Sequence, residues 1–91
     1  MTKKDDKKDD KKIEIEIIIS GTGYGVMSFP DGINLKGLRD QVLEKTNNIG
    51  QSSENWEVRD SDGNLLDLSK HLQDYGDIKQ LWFSLKAGIG G

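Results

Sequence analysis

An α+β domain, with a sheet wrapped on one helix, is predicted for residues 13–86 by three observations. Polar and apolar residues alternate at period two in 13–17, 55–59 and 79–86, the signature of strands with one buried face. Between the first two of these segments, Leu35, Leu38, Val42 and Leu43 fall at i, i+3, i+7 and i+8, which is one stripe of a helix. Dense turn sequences separate the periodic segments, so the elements read in the order hairpin, helix, hairpin, strand. With 91 residues the chain has room for a single core, and a multi-domain enzyme is excluded.

Each element follows from its residues. In Ile13-Glu14-Ile15-Glu16-Ile17-Ile18-Ile19 the alternation places Ile13, Ile15, Ile17 and Ile19 on the core face. The glycine-rich stretch at 20–25 reads as a loose loop at a hairpin tip, and 26–29 returns as a second strand that Pro30 stops. After the Asp31-Gly32 turn, Asn34 is a suitable cap for a helix that ends near Asn47-Asn48, residues that tolerate a left-handed conformation. Trp56 and Val58 then point inward, with Glu57 and Arg59 outward. The cluster at 60–64 is a turn, Leu65-Leu66 begins a short fourth strand, and Leu68, Leu72 and Tyr75 punctuate an irregular connection. In the closing strand Leu81, Phe83 and Leu85 face in and Trp82 faces out. The expected core is Ile13, Ile15, Ile17, Met27, Leu35, Leu38, Val42, Trp56, Val58, Leu66, Leu72, Leu81 and Phe83.

Composition narrows the chemistry. There is no cysteine, which removes disulfides, thiol catalysis and Cys-ligated metal. Residues 1–12 carry six Lys and four Asp and no apolar residue after Met1. Ordering such a segment would cost roughly 1–2 kcal/mol per residue with no burial to offset it, so it is expected to be a disordered charged tail. The remaining residues have a net charge of −5, unlike a nucleic-acid surface. No run of apolar residues is long enough to span a membrane, and the amino terminus lacks the apolar segment of a signal peptide, so a soluble, monomeric, cytoplasmic domain is expected.

Three motifs lose their chemistry in context. Gly21-x-Gly23-x-Gly25 is followed by a strand and not by the helix N-terminus that a phosphate cradle uses. Asp60, Asp62 and Asn64 match the first ligands of a calcium loop, but Leu65 and His71 stand where that loop needs Gly and Glu. His71, the single histidine, has no nucleophile-plus-acid constellation around it and reads as a surface residue. No metal or cofactor site is therefore expected. The end of the chain is different. After the closing strand, residues 87–91 read Ala-Gly-Ile-Gly-Gly, which packs nothing and has a high ordering cost. Such a tail makes sense if another protein threads it through a narrow channel. Gly90 and Gly91 give clearance beside the terminal carboxylate, and Gly88 adds flexibility.

With these features in place, residues 13–91 resemble ubiquitin, whose β-grasp fold has this element order. The most specific stretch is Leu72-Gln73-Asp74-Tyr75-Gly76-Asp77-Ile78-Lys79, similar to ubiquitin's Leu-Ser-Asp-Tyr-Asn-Ile-Gln-Lys apart from about one inserted residue. The Gly63-Asn64-Leu65-Leu66 turn, Asn34-Leu35 with Leu38 and Val42, and the terminal Gly90-Gly91 are also similar to their counterparts there. The resemblance implies a single β-grasp domain with a mixed sheet, and the role of a modifier of the kind found in bacterial operons alongside activating, conjugating and peptidase-like enzymes. In that role Gly91 is adenylated by an activating enzyme using ATP and magnesium, passed to a thiol and joined to a target amine, and the modifier is not itself an enzyme. Gly91 is either the encoded end or one exposed by a processing peptidase. The outward strand positions held by an apolar patch in ubiquitin are Glu57 and Arg59 here, so ordinary ubiquitin receptors are not expected to bind. Lys86 is the one cationic handle before the tail. Asn64 replaces the commonest linkage lysine, whereas Lys79 falls near another and is a candidate chain acceptor. Trp82, exposed on the outer face of the closing strand, is the candidate anchor for an activating or conjugating enzyme. Two alternatives share the fold: a sulfur carrier whose Gly91 becomes a thiocarboxylate, and a noncovalent interaction domain whose terminus does no chemistry.

Overall fold

In the computed structural model of the chain, residues 11–87 are described below. Four strands form one mixed sheet: β1 (Lys12–Ile19), β2 (Thr22–Pro30), β3 (Trp56–Arg59) and β4 (Gln80–Leu85), in the order β2-β1-β4-β3. The central pair β1 and β4 is parallel, and both outer pairings are antiparallel. One helix, α1 (Leu35–Lys45), packs across the inner face, and short 3-10 helices at Ser53–Asn55 and Leu72–Tyr75 complete the chain.

The hairpin is tighter than the sequence reading. The residues at 20–25 are not a loose loop, because Ser20 and Gly21 alone make the turn, with φ of 50° and 82°. Two successive left-handed residues give the type I′ geometry that matches strand twist. Gly23, Tyr24 and Gly25 lie within β2, and the pairing skips Tyr24 between Ile17 and Ile18, a bulge that the positive φ of Gly25 accommodates. At its other end β1 begins at Lys12, one residue inside the segment read as the charged tail. Lys11 before it is exposed, with its carbonyl accepting from the Asp31 N–H at 3.0 Å, and residues 1–10 of that tail lie outside the described residues.

Helix α1 follows its caps. The Asn34 side chain accepts from the Lys36 N–H at 2.9 Å and the Gly37 N–H at 3.4 Å, satisfying two of the otherwise unpaired donors of the first turn. At the other end Asn47 adopts φ of 61° and its N–H donates to the Glu44 carbonyl. The helix turns Leu35, Leu38, Val42 and Leu43 onto Ile15, Ile17, Phe29, Trp56, Val58, Leu66, Leu72, Leu81 and Phe83.

Several expectations about the core and strands need correction. Ile13 and Met27 are only partly buried, packed against the margin of the core on the β1–β2 side of the sheet, where β2 is an edge strand with no neighbour beyond it. Phe29 and Leu43 take core places instead, and Ile18 is buried on the opposite face of the sheet. Arg39 is also buried, at 5% exposure, with its Nε donating to Asp40 Oδ1 at 3.0 Å and its second terminal nitrogen to Ser53 Oγ at 3.3 Å. Leu65-Leu66 does not form a strand. A single bridge joins Leu65 to Arg59, and the Leu66 N–H donates to the Val58 carbonyl, after which Asp67 turns the chain away. The Asp67 carboxylate accepts from the N–H and hydroxyl of Ser69 at 3.0 and 2.6 Å, closing that turn where a strand would need an extended residue.

Candidate functional site

The outer face of the sheet is where the candidate residues gather. Parallel pairing sets Ile18 level with Trp82, and antiparallel pairing sets Trp82 level with Arg59, so Ile18, Trp82 and Arg59 form one row across three strands. Trp82 is 37% exposed beside buried Ile18, facing outward as the alternation of the closing strand requires. Its indole N–H donates to Gln80 Oε1 at 2.7 Å, and Gln80 Nε2 donates to Glu16 Oε1 at 2.8 Å. This relay fixes the ring from one side. Sequence reasoning missed Glu16 and Gln80, although the same period-two pattern that turned Trp82 outward places them on that face.

Arg59 is held from the other side. Two of its guanidinium nitrogens meet Glu57 Oε2 at 3.0 and 2.9 Å, and the third donates to the Gly63 carbonyl at 2.9 Å. Glu57 and Arg59 therefore face outward as a mutual pair and not as two separate charges. The Asp60 carboxylate organises the adjoining turn, accepting from the Asp62 and Asn64 N–H groups at 2.9 Å each and from Asn64 Nδ2 at 3.2 Å. These bonds, the Asn64 N–H first among them, hold its pKa below the usual carboxylate value. Between this turn and Trp82 lies a cleft of about 370 Å³, lined also by Gly21 at the hairpin tip and Ser84.

The other candidates are dispersed. Lys79 is exposed at the entrance to β4, and its carbonyl accepts from the Glu16 N–H at 2.9 Å, which fixes its backbone and leaves the side chain outside. Lys86 is exposed just beyond β4, with its N–H donating to the Asn55 carbonyl at 2.8 Å. The structure does not bring Lys79 and Lys86 together with Trp82. Gly88, Gly90 and Gly91 lie outside the described residues. His71 is exposed, with Nδ1 3.7 Å from Asp74 Oδ2. Among the described residues no group of three or more His, Asp or Glu side chains is placed to hold a metal ion, and no helix is long and apolar enough to cross a membrane.

Comparison with known structures places the fold. The chain is similar to the ubiquitin-like domain of an Arabidopsis thaliana protein (18% identity, TM-score 0.67, covering 85% of this chain and 80% of that one). It is also similar to the ubiquitin of Caldiarchaeum subterraneum (13% identity, TM-score 0.66, covering 89% and 100%). At such identities the likeness establishes a ubiquitin-like β-grasp fold. In sequence, the chain is 40% identical over 82 residues to uncharacterized protein y4jI of Sinorhizobium fredii, covering 88% of this chain and 62% of that relative's length. A family model described as "Protein of Unknown function (DUF2604)" matches residues 8–91, and the chain belongs to that family.

Proposed function

We propose that this protein is a ubiquitin-like modifier that is joined to target proteins through Gly91. One observation carries the reading: in a ubiquitin-like fold, β4 closes the sheet at Leu85 and the sequence Ala-Gly-Ile-Gly-Gly follows two residues later. In the first step a Gly91 carboxylate oxygen attacks the α-phosphorus of ATP bound with magnesium on an activating enzyme. The new P–O bond forms as the bond to pyrophosphate breaks. A thiolate then attacks the acyl carbon and releases AMP, and a target lysine amine displaces the thiol to leave an amide. Each step needs the carboxyl carbon aligned within a fraction of an ångström in a partner's site, and the absence of side chains at Gly90 and Gly91 allows that approach.

The catalytic groups belong to the partners, and the modifier supplies a face to be recognised. Trp82 is the anchor of that face, since an exposed indole with a fixed orientation offers a large contact area at small entropy cost. Glu57 and Arg59 frame it, Lys86 marks the start of the tail for the activating or conjugating enzyme, and Lys79 is the acceptor if chains form. A peptidase exposes Gly91 or removes the modifier from its targets. ATP-dependent activation of this kind takes place in the cytoplasm, with the modifier acting as a monomer.

The test is mass spectrometry of the protein recovered from its host. Target lysines carrying the Ala87–Gly91 remnant that trypsin leaves by cutting after Lys86 support the modifier. Replacement of one terminal oxygen by sulfur would assign a sulfur carrier, and a free carboxylate throughout, with no loss of function on deleting Gly90 and Gly91, would leave a noncovalent interaction domain.

A further inference from the structure

We propose that the cleft between Trp82 and the turn at residues 60–64 receives an arginine side chain of a partner protein, its guanidinium stacked on the indole and paired with the carboxylate of Asp62. This rests on the reading of Trp82 as a partner's anchor and adds the chemistry of what it anchors.

Shape and aromatic surface come first. The cleft, of about 370 Å³, has Trp82 on one side and Arg59, Asp60 and Asp62 on the other. Sites for small molecules run from roughly 300 to 1,000 Å³, so this one suits a single long side chain. Trp82 is exposed, and its Nε1 already donates to Gln80 Oε1 at 2.7 Å. An occupant therefore meets the π-surface of a ring that is held in place, and not its N–H.

Charge is the second, independent observation. Arg59 lines the cleft, but its guanidinium is held by Glu57 Oε2 and by the Gly63 carbonyl, each at 2.9 Å, so its charge is met from within the domain. Asp60 and Asp62 have no such cation. The Asp60 carboxylate is occupied by the N–H groups of its own turn, which favour its ionised form. Asp62 is exposed, and among the described residues its carboxylate has no hydrogen-bond or ion-pair partner. An aromatic face beside uncompensated carboxylates attracts a cation and repels an anion. Arginine matches both walls, because a planar, weakly hydrated guanidinium stacks on an indole while its edge donates to a carboxylate, whereas an ammonium is compact and strongly hydrated.

The experiment is an NMR titration of the nitrogen-labelled full chain with a capped Gly-Arg-Gly peptide, beside matched peptides carrying citrulline or lysine in place of arginine. The expected result is saturable shifts confined to the Trp82 indole proton and the amides of Asp62, Gly63 and Ser84. Citrulline, which keeps the shape without the charge, should bind about fivefold more weakly, and so should the arginine peptide to Asp62→Asn. Trp82→Leu should remove the saturable shifts, while Glu44→Gln, the same charge change on exposed α1 across the sheet, leaves them as they are. The dispersed amide spectrum verifies the fold of each variant. Absence of saturable shifts, equal binding of the citrulline or lysine peptide, equal weakening by Glu44→Gln, or shifts that survive Trp82→Leu would each overturn the inference. Neither Gly91 nor an enzyme takes part, so failure here leaves conjugation through Gly91 standing, and loss of conjugation leaves this binding standing.

Discussion

The two faces of the sheet are built from the same strands and answer to different demands. On the inner face Ile15, Ile17, Val58, Leu81 and Phe83 are sealed beneath α1, and each is fixed by the shape of its neighbours. On the outer face, one residue away along the same strands, Glu16, Gln80, Trp82, Arg59 and Glu57 are held by side-chain hydrogen bonds and an ion pair in contact with solvent. The inner face leaves little freedom of residue type, since a core tolerates neither voids nor excess volume. The outer face has that freedom, and the exposed tryptophan there is the one proposed above as a partner's anchor. Ile18 is the exception that joins the two, an aliphatic residue buried on the outer side next to Trp82 in the same row.

The largest effect expected is from Val42→Asp, which sets an unpaired charge in the sealed layer. At several kcal/mol against a total of about 5–15 kcal/mol, it should abolish the cooperative transition in thermal or urea unfolding. A folded Val42→Asp protein would mean that the inner face is assigned to the wrong side of α1. The neighbours Phe83 and Trp82 give the sharpest contrast, because consecutive residues of β4 face opposite ways. Phe83→Ala should lose about 3–5 kcal/mol in denaturant unfolding. Trp82→Ala should lose about 1 kcal/mol of stability. It should also cost about 2 kcal/mol or more in binding to an activating enzyme, read by titration calorimetry. Equal destabilisation by the two would erase the distinction between the faces.

Smaller still is the Glu57–Arg59 pair. With Arg59 half exposed, solvent screening limits it to about 0–1 kcal/mol in a double-mutant cycle, and that coupling should shrink further in high salt. The smallest effect is the acid sensitivity of the turn next to Trp82. Because the folded-state pKa of Asp60 is depressed, its contribution is present above the unfolded value of about 4 and is lost as pH falls through the folded one. Asp67 behaves likewise, through its bonds to Ser69. Carboxyl carbon titration followed by NMR should place both midpoints below the ordinary range, and Asp60→Ala should remove the corresponding acid limb of the stability profile.

The inner face was largely legible in the sequence, because period two and period 3.6 are direct imprints of burial. Asn34 announced the start of α1, and Asn47 its end, through backbone chemistry confined to a few residues. The turn at Ser20-Gly21 was hidden by its surroundings, since glycines at 23 and 25 imitate a loop while serving a bulge in β2. Leu65-Leu66 carries strand residues but meets a partner only at one bridge, a tertiary outcome that local pattern does not contain. Of the candidate surface, the outward aim of Trp82 was readable from alternation. Its hydrogen-bond relay through Gln80 to Glu16 and the bond from Arg59 to the Gly63 carbonyl depend on distances that the local pattern does not contain.

The central claim, that Gly91 is the reacting group, is tested most directly by ATP–pyrophosphate exchange with the cognate activating enzyme and labelled pyrophosphate. The account predicts exchange that depends on this protein and on magnesium. It should fall by at least tenfold in Gly91→Ala, whose melting temperature stays unchanged, and be absent when Gly90 and Gly91 are deleted. Equal exchange by the full chain and the deletion variant would contradict it, because the adenylate would then form without the carboxylate assigned to it.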